Sequence, residues 1–412
     1  MTKDMLRQTR NRKMKKSYDI AVIGGGASGL AAAITAARRA KGVSVAVFEK
    51  KDRTGKKLSA TGNGRCNISN TGCEDLEQVI DFFGSVGIAL RSEEEGRLYP
   101  YSEEAGEVTA ILTACALSEG VEINLNSEIT GMEAEPSGGF LLFVGEKSFF
   151  ARNVLLASGG KSYAALGTTG DGYRFAKKLG HSVRQLIPAL TAVEVVEDLT
   201  SLKGLRTKAK VSLYKNGQMI FSEKGEVQFR DDSISGICVM NMSRYIRKDS
   251  CCEIRINTVA DFGEEEISAM LEGRFAIRGL TAEEALKTLV KKPLAKYALR
   301  RAGIEAEKKA AIFLDEEEGI QKLSCLKRSL SDMRFKVKGL KGWNEAQVTS
   351  GGVLLSEVDG MTMESKLNPG LFFSGEVLDY DGPCGGYNLH HAWLTGIRAG
   401  KAMAEKCTES IR

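Results

Sequence analysis

Residues 18–23 read Tyr-Asp-Ile-Ala-Val-Ile, an almost unbroken apolar run. Such a run suits a strand buried on both faces of a parallel sheet. The period then changes. Residues 30–39 are alanine-rich and predict a helix, Gly42 ends it, and residues 43–48 form a second apolar strand that closes at Glu49. Two further apolar runs end in glycine far downstream. Residues 153–160 read N-V-L-L-A-S-G-G, and residues 370–379 read G-L-F-F-S-G-E-V-L-D. After the second, a glycine-marked loop at 382–389 leads into a helical pattern at 390–406.

The intervening chain sorts by period. Residues 75–120 read as mostly helical with a turn at 96–101, and residues 121–160 as short strands with a hairpin at 136–139. A short helix over 173–179 is expected, capped by Asp171 and ended by Gly180. Strand signals dominate residues 188–256, where Asn216-Gly217 marks a hairpin. Residues 263–330 turn helical and charged, and T-S-G-G-V from Thr349 resumes the apolar strand pattern.

Composition narrows the class. A chain of 412 residues with 42% hydrophobic and 27% charged positions is globular and too long for one core. The net charge of +5 is a weak bias, concentrated in a basic tail where Lys3, Arg7, Arg10, Arg12, Lys13, Lys15 and Lys16 face only Asp4. That tail is expected to be disordered and solvated. No secretory signal and no apolar run near the length of a membrane span is present. The 9 cysteines lack any C-x-x-C pair, which argues for a reducing, cytoplasmic setting and against a redox dithiol. The 3 histidines, His181, His390 and His391, give no zinc spacing, so no metal is expected.

The first strand runs into Gly24-Gly25-Gly26-Ala27-Ser28-Gly29, a G-x-G-x-x-G pattern in strand–helix–strand context. Gly24 allows a tight turn, Gly26 leaves room for a pyrophosphate, and Gly29 lets helix and sheet pack closely. The helix N-terminus offers free N–H groups to phosphate, and Glu49 can accept from ribose hydroxyls. An acid there favours a dinucleotide with a free 2′-hydroxyl, FAD or NAD. The loop that follows, residues 50–67, is rich in glycine and amide donors and suits an extended ligand. The downstream strand ending in Gly375-Glu376, with a glycine-marked helix start behind it, suits the other end of FAD.

These motifs, together with G-G-K-S-Y-A-A-L-G-T-T-G-D-G-Y and G-E-V-L-D-Y-D-G-P-C-G-G-Y-N-L, span nearly the whole chain. The chain resembles the YhiN/BaiN-like flavoproteins, a branch of the glutathione-reductase-type FAD fold. The resemblance implies FAD contacts at Ala27, Ser28, Glu49, Lys50, Lys57, Gly62 and Asn67, and at Gly375, Glu376, Asn388 and Leu389 toward the ribityl and ring end. Ile129, placed at the end of a strand, would meet adenine. It further implies reduction of carbon–carbon double bonds conjugated to the 3-ketone of a steroid or bile-acid-like substrate, a hydrophobic small molecule, with NADH as electron donor. Members often carry Gln and an aromatic residue after G-G-Y-N-L, where this chain has His390-His391.

The expected architecture is α/β. A Rossmann-like, discontinuous FAD-binding domain (17–188 and 346–412) follows the tail (1–16) and is interrupted by a β-barrel-like unit (189–262) and a small helical unit (263–345). Residues 159–172 are expected to line the flavin site. Tyr163, Tyr387, His390 and His391 are candidate proton donors, with none singled out. Cys66 and Cys384 lie in flavin loops without partner cysteines and read as small buried residues. Two other functions remain open, an oxidase of a small amine and a flavoprotein that binds nucleic acid or a protein partner through the basic tail. Nucleic-acid binding is not the expected outcome.

Overall fold

The computed structural model describes residues 16–247, 251–314 and 317–409. The chain divides into two compact units, one of Met1–Pro188 with Gln347–Arg412 and one of Ala189–Ala346.

In the first unit, β1 (Lys16–Ile23) enters α1 (Ala27–Arg39) through the glycine turn, and β2 (Val45–Phe48) follows. The next elements are β3 (Ser69–Asn70), α2 (Leu76–Ser85), β4 (Leu90–Ser92), β5 (Arg97–Pro100) and α3 (Ala105–Ser118). Then come β6 (Glu122–Asn124), β7 (Gly131–Ala134), β8 (Phe140–Val144), β9 (Lys147–Leu156), α4 (Asp171–Lys178) and β10 (Ile187–Ala189). The main sheet runs β6-β2-β1-β9-β8-β7. β1 pairs in parallel with both β2 and β9, so it is central, and its residues Ile20 to Val22 have no exposed surface.

The inserted unit holds β11 (Val193–Val195), β12 (Arg206–Lys215), β13 (Gln218–Phe229), β14 (Ser233–Ser235), α5 (Ile237–Ser243) and β15 (Cys252–Asn257). Four helices follow: α6 (Glu264–Phe275), α7 (Ala282–Ala285), α8 (Lys292–Ala302) and α9 (Glu317–Ser331). β16 (Met333–Leu340) closes a barrel in the order β11-β14-β13-β12-β15-β16. The β12–β13 hairpin turns at Asn216 and Gly217, both at positive φ (51° and 81°), as a two-residue turn of that hand requires.

The chain returns to the first unit with β17 (Val348–Ser350), β18 (Leu371–Phe373) and α10 (Tyr387–Glu409). The long strand β9 serves two partners along one edge. Its first half pairs antiparallel with β8, and its last three residues pair in parallel with β18. The carboxyl ends of β1, β2, β9 and β18 therefore share one edge of the sheet, where a parallel α/β sheet binds its ligand.

Several expectations change. The barrel and the helices of the inserted unit share one apolar core, in which Val211, Phe229 and Phe335 join Leu271, Phe275, Leu294 and Leu326. Residues 189–262 and 263–345 share one core, and the second stretch, expected to be helical, ends in a barrel strand with alternating apolar and charged residues. Residues 75–120 are mostly helical, through α2 and α3, but the expected turn near 96–101 is largely strand. They include β4 and β5, which form a small sheet with β3, too short for periodicity to register. Asp171 opens α4 instead of capping it, and its carboxylate turns to Lys50 and Thr169. The expected tail lies outside the described residues except for Lys16, which starts β1 and bonds Glu122. Among the described residues, no helix is long and apolar enough to cross a membrane.

Candidate functional site

The turn after β1 is built by close approach. A Cβ on Gly24, whose φ is +112°, would sit 2.4 Å from the Ala157 carbonyl oxygen at the end of β9. One on Gly29 would sit 2.0 Å from the Gly24 carbonyl oxygen. At Gly26, by contrast, an added Cβ meets no described atom within 4 Å. Two glycines hold the turn against the sheet, and the third faces open space at the N-terminus of α1, beside Ala27 and Ser28.

Glu49, just past β2, accepts from the Gly25 N–H (2.9 Å) and the Lys51 N–H (2.8 Å), which fixes its carboxylate under the glycine turn. Its carbonyl accepts from Ser127 N–H at 2.8 Å, tying in the segment that carries Ile129. Ile129 itself lies in the connection between β6 and β7, not at a strand end, and is buried in the core. The Lys50 ammonium is drawn to Thr169 and Asp171 at 2.5 and 2.6 Å.

A second cluster forms around Gly375 and Glu376, after β18. A Cβ on Gly375 would sit 2.7 Å from the Ser28 hydroxyl, so this loop abuts the start of α1. The Glu376 carboxylate gathers four donors: Lys57 Nζ (2.7 Å), Thr349 N–H (2.7 Å), Ser162 Oγ (3.2 Å) and Gly160 N–H (3.4 Å). The Tyr173 hydroxyl donates to the Glu376 carbonyl at 3.0 Å, and burial holds that phenol well above its usual range. Ser162 falls in the 159–172 segment expected to line the flavin site, while Thr349 and Tyr173 lie in sequence motifs that assign them no role. A buried threonine in the three-residue strand β17 was the available signal.

The third cluster is the start of α10. A Cβ on Gly386 would meet the Ser69 carbonyl oxygen at 2.3 Å and Asn67 Oδ1 at 2.9 Å, so the Gly62–Asn67 loop reaches this turn. Gly62 is exposed at positive φ (58°). Asn388 spends its side chain on the loop before it, accepting from Gly382 N–H (2.8 Å) and donating to the Gly382 and Pro383 carbonyls (2.9 and 3.3 Å). Leu389 packs against the core of the unit.

The adjacent histidines separate cleanly. His390 bonds through both nitrogens, Nδ1 with Ser69 Oγ and Nε2 with the Glu74 carbonyl, each at 2.8 Å. His391 stacks on Tyr380 with ring centroids 3.9 Å apart and 13° between planes, and its buried Nε2 has no partner among the described residues. Burial, with His390 and Arg398 nearby, pushes its pKa down to about 3, so the ring is neutral at ordinary pH. Tyr387 is engaged with Asn70 at 3.4 Å. Cys66 is no nucleophile, because burial pushes its thiol up to about 12.

The three clusters fit FAD. Open space lies over Gly26 at a helix N-terminus, an acid is fixed at the end of β2, and buried Asn67 Oδ1, Ser374 Oγ and His391 Nε2 lack partners among the described residues. A family model described as the HI0933-like protein Rossmann domain matches residues 18–79 and 74–402.

The chain belongs to this family.

It is an FAD-dependent oxidoreductase, as the motif resemblance implied. It is 33% identical over 412 residues to the 3-dehydro-bile acid delta(4,6)-reductase of Clostridium scindens, covering 94% of this chain and 99% of that protein. It is 29% identical over 421 residues to the ribosomal RNA dihydrouridine synthase of Haemophilus influenzae, covering 93% and 98% respectively. Among solved structures, an open-conformation flavocytochrome c3 fumarate reductase superposes with TM-score 0.50 at 18% identity, covering 98% of this chain and 81% of that one. That last likeness is one of fold alone.

Proposed function

We propose that this protein reduces a carbon–carbon double bond conjugated to a carbonyl, with a steroid-like 3-oxo-diene as substrate and NADH as electron donor. The observation that carries the reading is the neutral, half-buried His391 ring with its buried, unpartnered Nε2 near the start of α10. Bound FAD supplies hydride chemistry, and the chain must position substrate, exclude water and stabilise charge on the carbonyl oxygen. A neutral imidazole at a helix N-terminus can donate an N–H to such an oxygen. Of the four candidate donors, His390 and Tyr387 are already engaged, and of the other two His391, not Tyr163, carries a buried ring nitrogen without a partner among the described residues.

In this reading Gly24, Gly26, Ala27, Ser28 and Gly29 hold the pyrophosphate, and Glu49, Lys50 and Ile129 the adenosine end. Lys57, Gly62, Asn67, Gly375 and Glu376 hold the ribityl chain, and Asn388 and Leu389 the ring end. The C. scindens relative, aligned over nearly its full length, supports the steroid class.

The test is anaerobic. NADH should bleach the flavin of the purified protein, and a 3-oxo-4,6-diene bile acid should restore it without oxygen. Restoration by oxygen alone would sink the steroid reading and favour an oxidase.

A second reading has its own support. The H. influenzae relative is a ribosomal RNA dihydrouridine synthase, and the uracil double bond is likewise conjugated to a carbonyl. The same residues would then serve a uridine. Protein-free ribosomal RNA in place of the bile acid, with dihydrouridine counted afterwards, separates the two.

A further inference from the structure

The polar face of α8 is strongly basic. From residue 291 to residue 304 the sequence K-K-P-L-A-K-Y-A-L-R-R-A-G-I holds five cations and no acid. The apolar residues of this helix, Leu294, Ala295, Tyr297, Ala298, Leu299 and Ala302, are buried in the unit's core. Lys291, Lys292, Lys296, Arg300 and Arg301 are all exposed. Lys292, Lys296 and Arg300 follow at four-residue steps, which on a helix is one straight stripe with about 6 Å between successive charges.

The stripe borders a hollow rather than a flat face. A cavity of about 460 Å³ lies between α8 and the turn at Thr200–Leu202, lined by Ser201, Lys292, Pro293, Lys296, Tyr297 and Arg300. No acid lines it. Arg300 donates to the Ser201 hydroxyl at 2.9 Å, which orients the guanidinium along the wall. Lys291, just before α8, donates to the Arg206 carbonyl at 2.6 Å. Acids flank the stripe: Glu283 lies 3.3 Å from Lys292 and 3.8 Å from Lys296, and the Asp198 carboxyl is held below its usual range first by Thr200 and also by Arg300. Three cations and no acid line the hollow, and Lys292 also borders a neighbouring cavity lined by Glu283, Glu284 and Glu307.

We infer that this groove binds the phosphate backbone of a folded RNA. A row of cations at even steps matches a chain of evenly spaced phosphates, and the Ser201 hydroxyl adds a donor to a phosphate oxygen. An anionic membrane fits less well, because membrane helices present apolar side chains beside their cations, and those of α8 are all buried. The choice of RNA among polyanions rests on the uridine reading above. The groove itself rests on charge and shape.

The experiment uses the full-length, FAD-loaded protein and a fluorescein-labelled RNA hairpin, followed by anisotropy across a salt series. Lys292→Gln, Lys296→Gln and Arg300→Gln together should weaken binding at least tenfold and flatten the salt slope by about 2. Flavin absorbance and thermal midpoint should stay unchanged, which shows that the variant folds. Removing equal charge elsewhere, with Lys208→Gln, Lys210→Gln and Lys338→Gln, should change affinity less than twofold. Undiminished binding by the first variant overturns the proposal, as does loss of binding only when residues 1–15 are deleted. Equal binding of a DNA hairpin, or preference for phosphatidylserine vesicles, also overturns it. Dihydrouridine is assayed separately. RNA held at α8 without uridine reduction would sink the uridine reading and leave the groove standing.

Discussion

Two glycine-marked turns, each opening a helix, do opposite things with the same residue. Before α1, glycines make the turn: Gly24 and Gly29 are pressed onto backbone oxygens, and Gly26 faces open space. Hardly any side chain is involved beyond Glu49. Before α10, Gly386 is likewise pressed onto the Ser69 carbonyl, but the loop is held by side chains, chiefly Asn388 on Gly382 and Pro383 and His390 on Ser69 and Glu74. A turn made of backbone alone shows itself in a short motif. A turn made by distant partners shows only its glycines.

The largest effects should come where a methyl group has nowhere to go. Gly29→Ala and Gly386→Ala would each place a Cβ within about 2.3 Å of a carbonyl oxygen, at 2.0 and 2.3 Å respectively, and Gly386 also has φ at +104°. Each should cost about 4 kcal/mol or more, measured by urea unfolding. Wild-type stability in either would mean that the turn can shift and that the close approach is incidental.

Asn388→Ala sharpens the contrast by removing three hydrogen bonds from the second turn. A loss of about 2 kcal/mol is expected, since buried partners are left unsatisfied. No single side-chain deletion near the first turn should match it except at Glu49.

His391→Phe tests the neutral ring through pH. The folded pKa of about 3 lies below the ordinary value of 6.5. Below pH 6.5 the unfolded chain takes up a proton that the folded chain refuses, so stability is lost as pH falls from about 6.5 toward 3. Above that window His391 contributes no pH dependence. Between pH 7 and pH 5 the wild type should lose about 2 kcal/mol more than His391→Phe, read from denaturant midpoints. His181 and His390, also lowered by burial, keep their share in both proteins. Parallel pH profiles would show that the ring is solvated.

Gly26→Ala should move stability least, by about 0.5 kcal/mol or less, because its Cβ meets no described atom within 4 Å. It should nonetheless weaken FAD uptake by the apoprotein at least tenfold, measured by flavin fluorescence quenching. Unchanged uptake would remove the pyrophosphate from this turn.

Much of the first unit was legible in the chain. The apolar runs of β1, β2, β9 and β18 were visible because strands buried on both faces carry few polar residues, Asn153 of β9 being one. What escaped was short or conditional. β3, β4 and β5, of two to four residues, exist because they pair with one another. β16, which alternates Arg and Lys with apolar residues, carries a strand signal but falls inside the stretch assigned to the helical unit, and only the barrel shows where it pairs. Ile129 was assigned to a strand end and sits in a connection, because nothing local to S-E-I-T tells a strand from a buried extended loop.

By itself, then, the sequence determined the cofactor half of this protein: the glycine turn, the acid at Glu49, and an α/β core built of runs that only a sheet interior accepts. Those are local consequences of missing side chains and unbroken apolarity. The tertiary structure alone decided which of two neighbouring histidines is spent and which is spare, which donors gather on Glu376, and that three cations of α8, Lys292, Lys296 and Arg300, line a hollow. Each depends on partners far away in the chain, and a hydrogen bond or a cavity wall has no signature until the fold brings its two sides together.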